Sequence, residues 1–216
     1  MLKKIIKKIP SVIYFSMKLS VVLALLLALW QQNWLNALAI FAILILISLP
    51  WLIGKRYKIS VPVEFEVTAV IFVYSSIFLG SFYEYYEKFW WWDVHLHLAS
   101  GFLIGIFGFM VLYLLNYSKD IRLNMKAGFV ALFAFAFSVT AGVFWEFLEY
   151  TGDFIFNSTM QNNSLTDTMW DLIMDAIGAF IISALGYLWM KERINFFIFD
   201  NTLKKFVQRE NKNIIK

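Results

Sequence analysis

The feature that most constrains this chain is a series of six apolar segments, each long enough to cross a lipid bilayer as a helix. About 20 helical residues span roughly 30 Å of hydrocarbon. Hydrophobic residues make up 61% of the 216 residues and charged residues only 16%, whereas soluble domains carry about 25% charged residues. The sequence therefore predicts an all-α fold, a polytopic membrane helical bundle. The predicted spans are residues 13–31, 34–53, 65–83, 93–115, 127–149 and 170–190.

The spacing of these segments predicts three parts. Residues 1–54 form a two-helix transmembrane hairpin, because only a Gln-Gln-Asn turn separates its spans. Residues 60–190 form a four-helix membrane core, and residues 191–216 form a basic cytoplasmic tail, predicted to lie as a helix on the membrane surface. A cleaved signal peptide is the alternative interpretation of the first span, since lysines precede it. The second span follows at once, without a convincing cleavage site.

Basic residues mark one side of the membrane. Every Lys and Arg except Lys88 lies near the N-terminus, in the loops after the second and fourth spans, or in the tail. Cytoplasmic loops carry an excess of such residues. The sequence therefore predicts a multi-pass protein of the cell (inner) membrane with both termini cytoplasmic. Because the net charge of +4 is spread over membrane-flanking loops, we expect membrane lipids and no nucleic acid as partners.

Acidic residues gather on the opposite side, at the ends of the last three spans. Asp93 and His97 are four residues apart and share one helical face, with His95 nearly opposite. Acids also share one helical face at the end of the fifth span, with spacing i, i+3, i+7, and at the start of the sixth, with spacing i, i+4, i+8. These acids are Glu146, Glu149 and Asp153, followed by Asp167, Asp171 and Asp175.

Small residues continue these faces deeper into the membrane. Glycine, alanine and serine at four-residue spacing allow transmembrane helices to approach closely. We therefore expect the polar faces to meet in a seam between helices and not to face lipid. The small residues are Gly101, Gly105, Gly108, Ser138, Gly142, Gly178, Ala179 and Gly186.

The acidic cluster has no basic partner, because no Lys or Arg lies in the last three spans. Facing carboxylates without a cation must be protonated, bind a metal, or both. Carboxylates with one imidazole suit Mg, Mn, Zn or Fe, and the absence of cysteine excludes thiolate sites and thiol nucleophiles. The sequence predicts a divalent-metal site in which Glu149 or Asp93 acts as the base. The predicted metal ligands are His97, Glu146, Asp171 and Asp175.

Simpler interpretations remain open for the same residues. Protonated acids could hydrogen-bond across the seam without any ion. Asp167 fits a helix N-terminal acid, with Ser164 or Thr166 as the cap. Asp153 fits a turn residue after Gly152, and His95 fits a packed or interfacial histidine.

Three ordered motifs carry a family resemblance over roughly residues 60–190. At Trp92-Asp93-x-x-x-His97-x-x-Ser100-Gly101, Trp145-Glu146-x-x-Glu149 and Asp167-Thr168-Met-x-Asp171-x-x-x-Asp175-x-x-Gly178-Ala179, the chain resembles the YjdF-like family of prokaryotic inner-membrane proteins. It is more distantly similar to the VanZ-like family, which has an Asp/His helix, an acidic helix and a final Asp…Gly helix. The VanZ-like resemblance implies a role in the cell envelope, although Glu149 stands where that family more often has glutamine. The YjdF-like resemblance implies no particular activity.

The leading functional hypothesis is a metal-dependent hydrolase or transferase that acts on a lipid or lipid-linked envelope substrate. The alternatives are a proton- or cation-coupled transporter and a non-catalytic membrane scaffold or sensor. A polar site confined to one side of the membrane favours the enzyme, because transport needs access from both sides. The third span also carries no charge between Glu66 and Phe82.

Overall fold

The computed structural model describes residues 9–57, 63–117, 124–162, 164–196 and 199–200. These residues form helices joined by short turns, with no strand among them, which confirms the predicted all-α class. The elements are α1 (Ile9–Trp30), α2 (Trp34–Tyr57), α3 (Val63–Val73), a π-helix (Tyr74–Phe82), α4 (Tyr85–Lys88), α5 (Trp92–Tyr117), α6 (Ala127–Phe156) and α7 (Leu165–Met190).

Four helical stretches within the described residues are long and apolar enough to cross a membrane. They are Val12–Trp30, Trp92–Tyr113, Ala127–Phe156 and Leu165–Met190. Shorter apolar stretches, Asn36–Ile45 and Val67–Phe82, correspond to the second and third predicted spans. The structure thus supports a helical membrane bundle, and the membrane crossing of these two shorter stretches stays a prediction.

The chain divides into two compact units, residues 1–93 and 94–216, with the boundary in the first turn of α5. In the first unit, α1, α2, α3 and the π-helix share a hydrophobic core. The buried side chains of this core are Val21, Ala28, Ala37, Ile40, Ile43, Ile47, Val70 and Phe78. The third predicted span therefore packs with the first two spans, whereas the predicted four-helix core placed it with the last three.

The π-helix leads the chain toward the start of α5. The indole nitrogen of Trp92 donates a hydrogen bond to the carbonyl oxygen of Ser75 in this helix at 3.3 Å. Glu84, with a φ of 59°, lies just beyond the end of the π-helix. These contacts anchor the first turn of α5, which carries Asp93.

The second unit packs α5, α6 and α7 closely through their small residues. A Cβ added at Gly101 would overlap the backbone carbonyl of Asp175, and one at Gly178 would overlap the carbonyl of Leu98. The Ser138 hydroxyl of α6 donates to the carbonyl oxygen of Gly101 at 2.7 Å. These contacts confirm the predicted seam of small residues between the last three spans.

The start of the predicted tail packs onto this unit. Phe199 is fully buried, and its ring lies 4.7 Å from the ring of Phe109 and 5.2 Å from that of Trp189, measured between centroids. The Trp189 indole donates to Asp200 Oδ1 at 3.1 Å. Residues 199–200 thus pack with the second unit, although they fall within the predicted tail. The surface helix predicted for that tail lies mainly in residues 201–216, outside the described residues.

Candidate metal centre

His97 lies between two aspartates of α7. Its side chain is buried, with Nδ1 3.1 Å from Asp175 Oδ2 and Nε2 3.9 Å from Asp171 Oδ1. Asp171 and Asp175 are four residues apart and therefore occupy successive turns of one helical face. The imidazole of α5 thus contacts one carboxylate through each ring nitrogen.

Asp175 of α7 is held by contacts from both neighbouring helices, α5 and α6. Ser100 Oγ lies 2.5 Å from Asp175 Oδ1 and 2.8 Å from the carbonyl oxygen of His97, so its hydroxyl can donate to either. On α6, Gly142 leaves space for the carboxylate, because a Cβ there would lie 2.5 Å from Asp175 Oδ2. Both carboxylate oxygens therefore have a hydrogen-bonding neighbour, and the carboxylate sits where only glycine fits opposite it.

Asp93, His97 and Asp171 each offer one ligand atom, and the three atoms lie within 4.8 Å of one another. His97 and Asp171 are buried, while Asp93 is partly exposed. Two atoms bound to one ion at about 2.0–2.2 Å each can be at most about 4.4 Å apart. The 3.9 Å separation between His97 and Asp171 fits that limit, and a small side-chain rotation would bring the remaining atom within it.

Glu146 of α6 is the other buried carboxylate beside this cluster. It is 4% exposed and interacts electrostatically with His97, Asp175 and Asp167. Gln161 Nε2 donates to its Oε2 at 3.1 Å. Its other oxygen, Oε1, is buried without a hydrogen-bond partner among the described residues, and an unsatisfied buried acceptor costs about 1–3 kcal/mol.

Glu149, predicted as a possible base, and His95, predicted to face away from the site, lie outside the group of three converging ligand atoms. Glu149 is partly buried and accepts a hydrogen bond from the exposed Trp145 indole at 2.7 Å, and it is not one of the three converging ligand residues. His95 is exposed, in agreement with its predicted position on the opposite face. The base role predicted for Glu149 or Asp93 and the ligand roles predicted for the other residues stay predictions.

Two further acids serve the connection between α6 and α7. The Ser164 side chain accepts a hydrogen bond from the Asp167 backbone N–H, which confirms Ser164 as the N-cap of α7. Asp153 lies within α6, which continues past Gly152 to Phe156. Its carboxylate accepts hydrogen bonds from the following loop, which confirms its role in forming the turn. The prediction that it follows the end of the helix was wrong.

Ser100 and Gln161 were not predicted as site residues. Ser100 follows His97 by three residues and so shares its helical face, a signal that the sequence contained. Gln161 lies in a turn, where no helical periodicity points to Glu146. A single sequence gives no indication of that contact.

The donor set fits a divalent cation. Carboxylate oxygens and an imidazole nitrogen are ligands for Mg, Mn, Fe or Zn. No Lys or Arg lies within α5, α6 or α7 to neutralise the acids. Glu146 Oε1, buried without a hydrogen-bond partner among the described residues, is a further oxygen beside this donor set.

The comparisons with known proteins identify a membrane family. The chain is similar to an uncharacterized protein of Thermotoga maritima, with 35% identity over 117 residues. That alignment covers 52% of this chain and 58% of the relative, so the chain spans somewhat more than half the length of that protein. No solved structure matches. The family described as "Predicted membrane protein (DUF2238)" matches residues 12–192, and the chain therefore belongs to this family of predicted membrane proteins.

Proposed function

We propose that this protein is a divalent-cation-dependent membrane enzyme, a hydrolase or transferase acting on a lipid or lipid-linked envelope substrate. One observation carries the proposal: ligand atoms of Asp93, His97 and Asp171 lie within 4.8 Å of one another. Burying ionisable groups within a membrane protein is costly, and such groups usually serve a function. The YjdF-like and VanZ-like resemblances support an inner-membrane location and an envelope substrate.

In this proposal His97 coordinates the cation through Nε2. Metal-ligating histidines nearly always donate their other ring N–H to a carboxylate or carbonyl. Asp175 Oδ2 lies 3.1 Å from Nδ1, so it can accept that proton and leave the lone pair of Nε2 directed toward Asp171. Asp175 thus orients the imidazole, and Asp93 joins His97 and Asp171 as a ligand. Compared with the roles predicted from the sequence, Asp93 becomes a ligand instead of the base, and Asp175 orients His97 instead of binding the cation.

The cation, when bound, would polarise a substrate oxygen and activate a water molecule. Glu146 is well suited to receive the proton, because its Oε1 is buried and has no hydrogen-bond donor among the described residues. Ser100 supports the arrangement by holding the second oxygen of Asp175. Glu149 lies outside this set, with its carboxylate on Trp145.

Metal analysis tests the binding part of the proposal. Purified protein loaded with Zn²⁺ or Mn²⁺ and then desalted should retain about one ion per chain, since the cluster offers ligands for one centre. His97→Ala should remove most of the bound ion. His95→Ala is the matched control, because the exposed His95 lies on the same helix outside the cluster. Wild-type protein without any bound ion would refute the proposal.

Asp175→Asn separates the metal account from a network of protonated acids. An asparagine amide can donate to His97 Nδ1, which would place the ring proton on Nε2 and block coordination there. The metal account therefore predicts a large loss of ion affinity, although Asp175 itself is not a ligand. The protonated network predicts near-neutrality, because asparagine retains much of the hydrogen bonding.

An activity assay tests the catalytic part. Metal-loaded protein incubated with an envelope lipid extract should release or transfer a head group, detectable by mass spectrometry. Asp171→Asn should abolish that product while the protein stays folded. An ion-binding protein without such a product would retain the cation site but favour the transporter or sensor alternative.

A further inference from the structure

The loop between α6 and α7 is tied to the last turn of α6 through Asp153. Asp153 Oδ1 accepts hydrogen bonds from Ser158 Oγ at 2.8 Å and from the Met160 backbone N–H at 2.7 Å. Its Oδ2 accepts the Gln161 backbone N–H at 2.9 Å. Three donors from four consecutive residues thus converge on one carboxylate, which fixes where Gln161 lies.

Gln161 is held at two points of the same helix. Its backbone is bonded to Asp153, and its side-chain amide donates to Glu146 Oε2 at 3.1 Å and approaches the Glu146 carbonyl oxygen at 3.5 Å. Glu146 and Asp153 are seven residues apart, which is two helical turns or about 10 Å. Gln161 therefore bridges the exposed end of α6 and its buried carboxylate.

The bridge decides which oxygen of Glu146 is left for other partners. A glutamate side chain has three rotatable torsions and loses considerable freedom when ordered. With Oε2 bonded to Gln161, only the buried Oε1 lacks a hydrogen-bond partner among the described residues. Glu146 lies close enough to His97 and Asp175 to interact electrostatically with both, so the orientation of its carboxylate bears on the cluster.

We infer that Asp153 and Gln161 are positioning residues that hold the Glu146 carboxylate with Oε1 available to the site. Asp153 positions Gln161, and Gln161 positions Glu146. The role of Glu146 as proton acceptor rests on the proposed function, whereas the fixing of its carboxylate does not. The two parts are therefore tested separately.

The first experiment needs no cation. The infrared carboxyl band of Glu146 is assigned by its loss in Glu146→Gln. This band should shift in Gln161→Ala, because the hydrogen bond to Oε2 is removed, and should shift in the same direction in Asp153→Asn. Asn162→Ala is the matched control from the same loop, since the Asn162 side chain contacts Asp167 instead. An unchanged band in Gln161→Ala would overturn the inference.

The second experiment measures product formation by the metal-loaded protein in a double-mutant cycle. Gln161→Ala should slow product formation by up to about 100-fold, because it releases the carboxylate that receives the proton. The same substitution in a Glu146→Ala background should cause little further loss, because Gln161 acts through Glu146. Equal losses in both backgrounds would indicate a merely structural loop and overturn the positioning role. If wild-type protein forms no product, the proposed function fails, and the infrared result alone decides this inference.

Discussion

Gly101→Ala tests the helix seam without altering any polar group. Gly101 of α5 lies against the backbone of Asp175 in α7, and a Cβ there would overlap the Asp175 carbonyl oxygen. A backbone oxygen cannot rotate away as a side chain can. We therefore expect this substitution to force the two helices apart at the level of the site.

The size of the effect follows from that overlap. Carbon–oxygen contacts across packed helices are about 3.3–3.6 Å, so the helices must separate by roughly 1 Å at this point. Overpacking a close contact costs about 1–3 kcal/mol. The gain in helix propensity from glycine to alanine is at most about 1 kcal/mol. Gly101→Ala should therefore lower the free energy of unfolding by about 1–2 kcal/mol and shift His97 relative to Asp175.

Gly128→Ala is the matched control, because a Cβ at Gly128 in α6 meets no atom within 4 Å. It should leave stability unchanged or slightly raised. Unfolding of the detergent-solubilised protein by increasing SDS, followed by circular dichroism, measures both variants. Equal midpoints for Gly101→Ala and Gly128→Ala would refute the close approach of α5 and α7.

Two further predictions concern the tail and the orientation. Phe199→Ala should destabilise the second unit by up to about 3–5 kcal/mol, because removal of a fully buried ring leaves a cavity. Removal of residues 201–216 should leave the SDS midpoint unchanged. If both changes lower the SDS midpoint by a similar amount, the tail beyond Asp200 also packs. A single cysteine at Asn162 should react with an impermeant reagent added to intact cells, whereas one at Lys119 should not, because basic loops stay cytoplasmic. Labelling of Lys119→Cys from outside would reverse the predicted orientation.

The sequence was sufficient to predict the helical class and the face of each helix that forms the seam. Length and apolarity predict membrane helices because hydrocarbon cannot satisfy backbone polar groups. The i, i+4 spacing of Asp171 and Asp175 then requires them to share a face, whatever they meet. The end of α6 was harder to predict. Gly152 suggested a stop, but α6 continues to Phe156 and ends at Asn157, which adopts the left-handed conformation with a φ of 54°.

The partners within the site could not be predicted from spacing. Which nitrogen of His97 meets which aspartate depends on the relative height of α5 and α7, and that height is set by the contacts of Gly101 and Gly178 with the facing backbone. Periodicity places residues on a face but does not register two helices against each other. Gln161 illustrates the same limit for loops, since its contact with Glu146 follows from hydrogen bonds to Asp153 that no short motif specifies.

Asp175 and Glu146 differ in their hydrogen bonding, and the difference supports different roles for the two acids. Asp175 has Ser100 at one oxygen and His97 at the other, so its carboxylate is satisfied without an ion. Glu146 has a donor for Oε2 only, and its Oε1 is buried without a hydrogen-bond partner among the described residues. A buried acceptor without a hydrogen bond destabilises the folded protein unless a ligand, a water molecule or a proton interacts with it. This difference agrees with the roles proposed above, in which Asp175 orients His97 and Glu146 receives the proton.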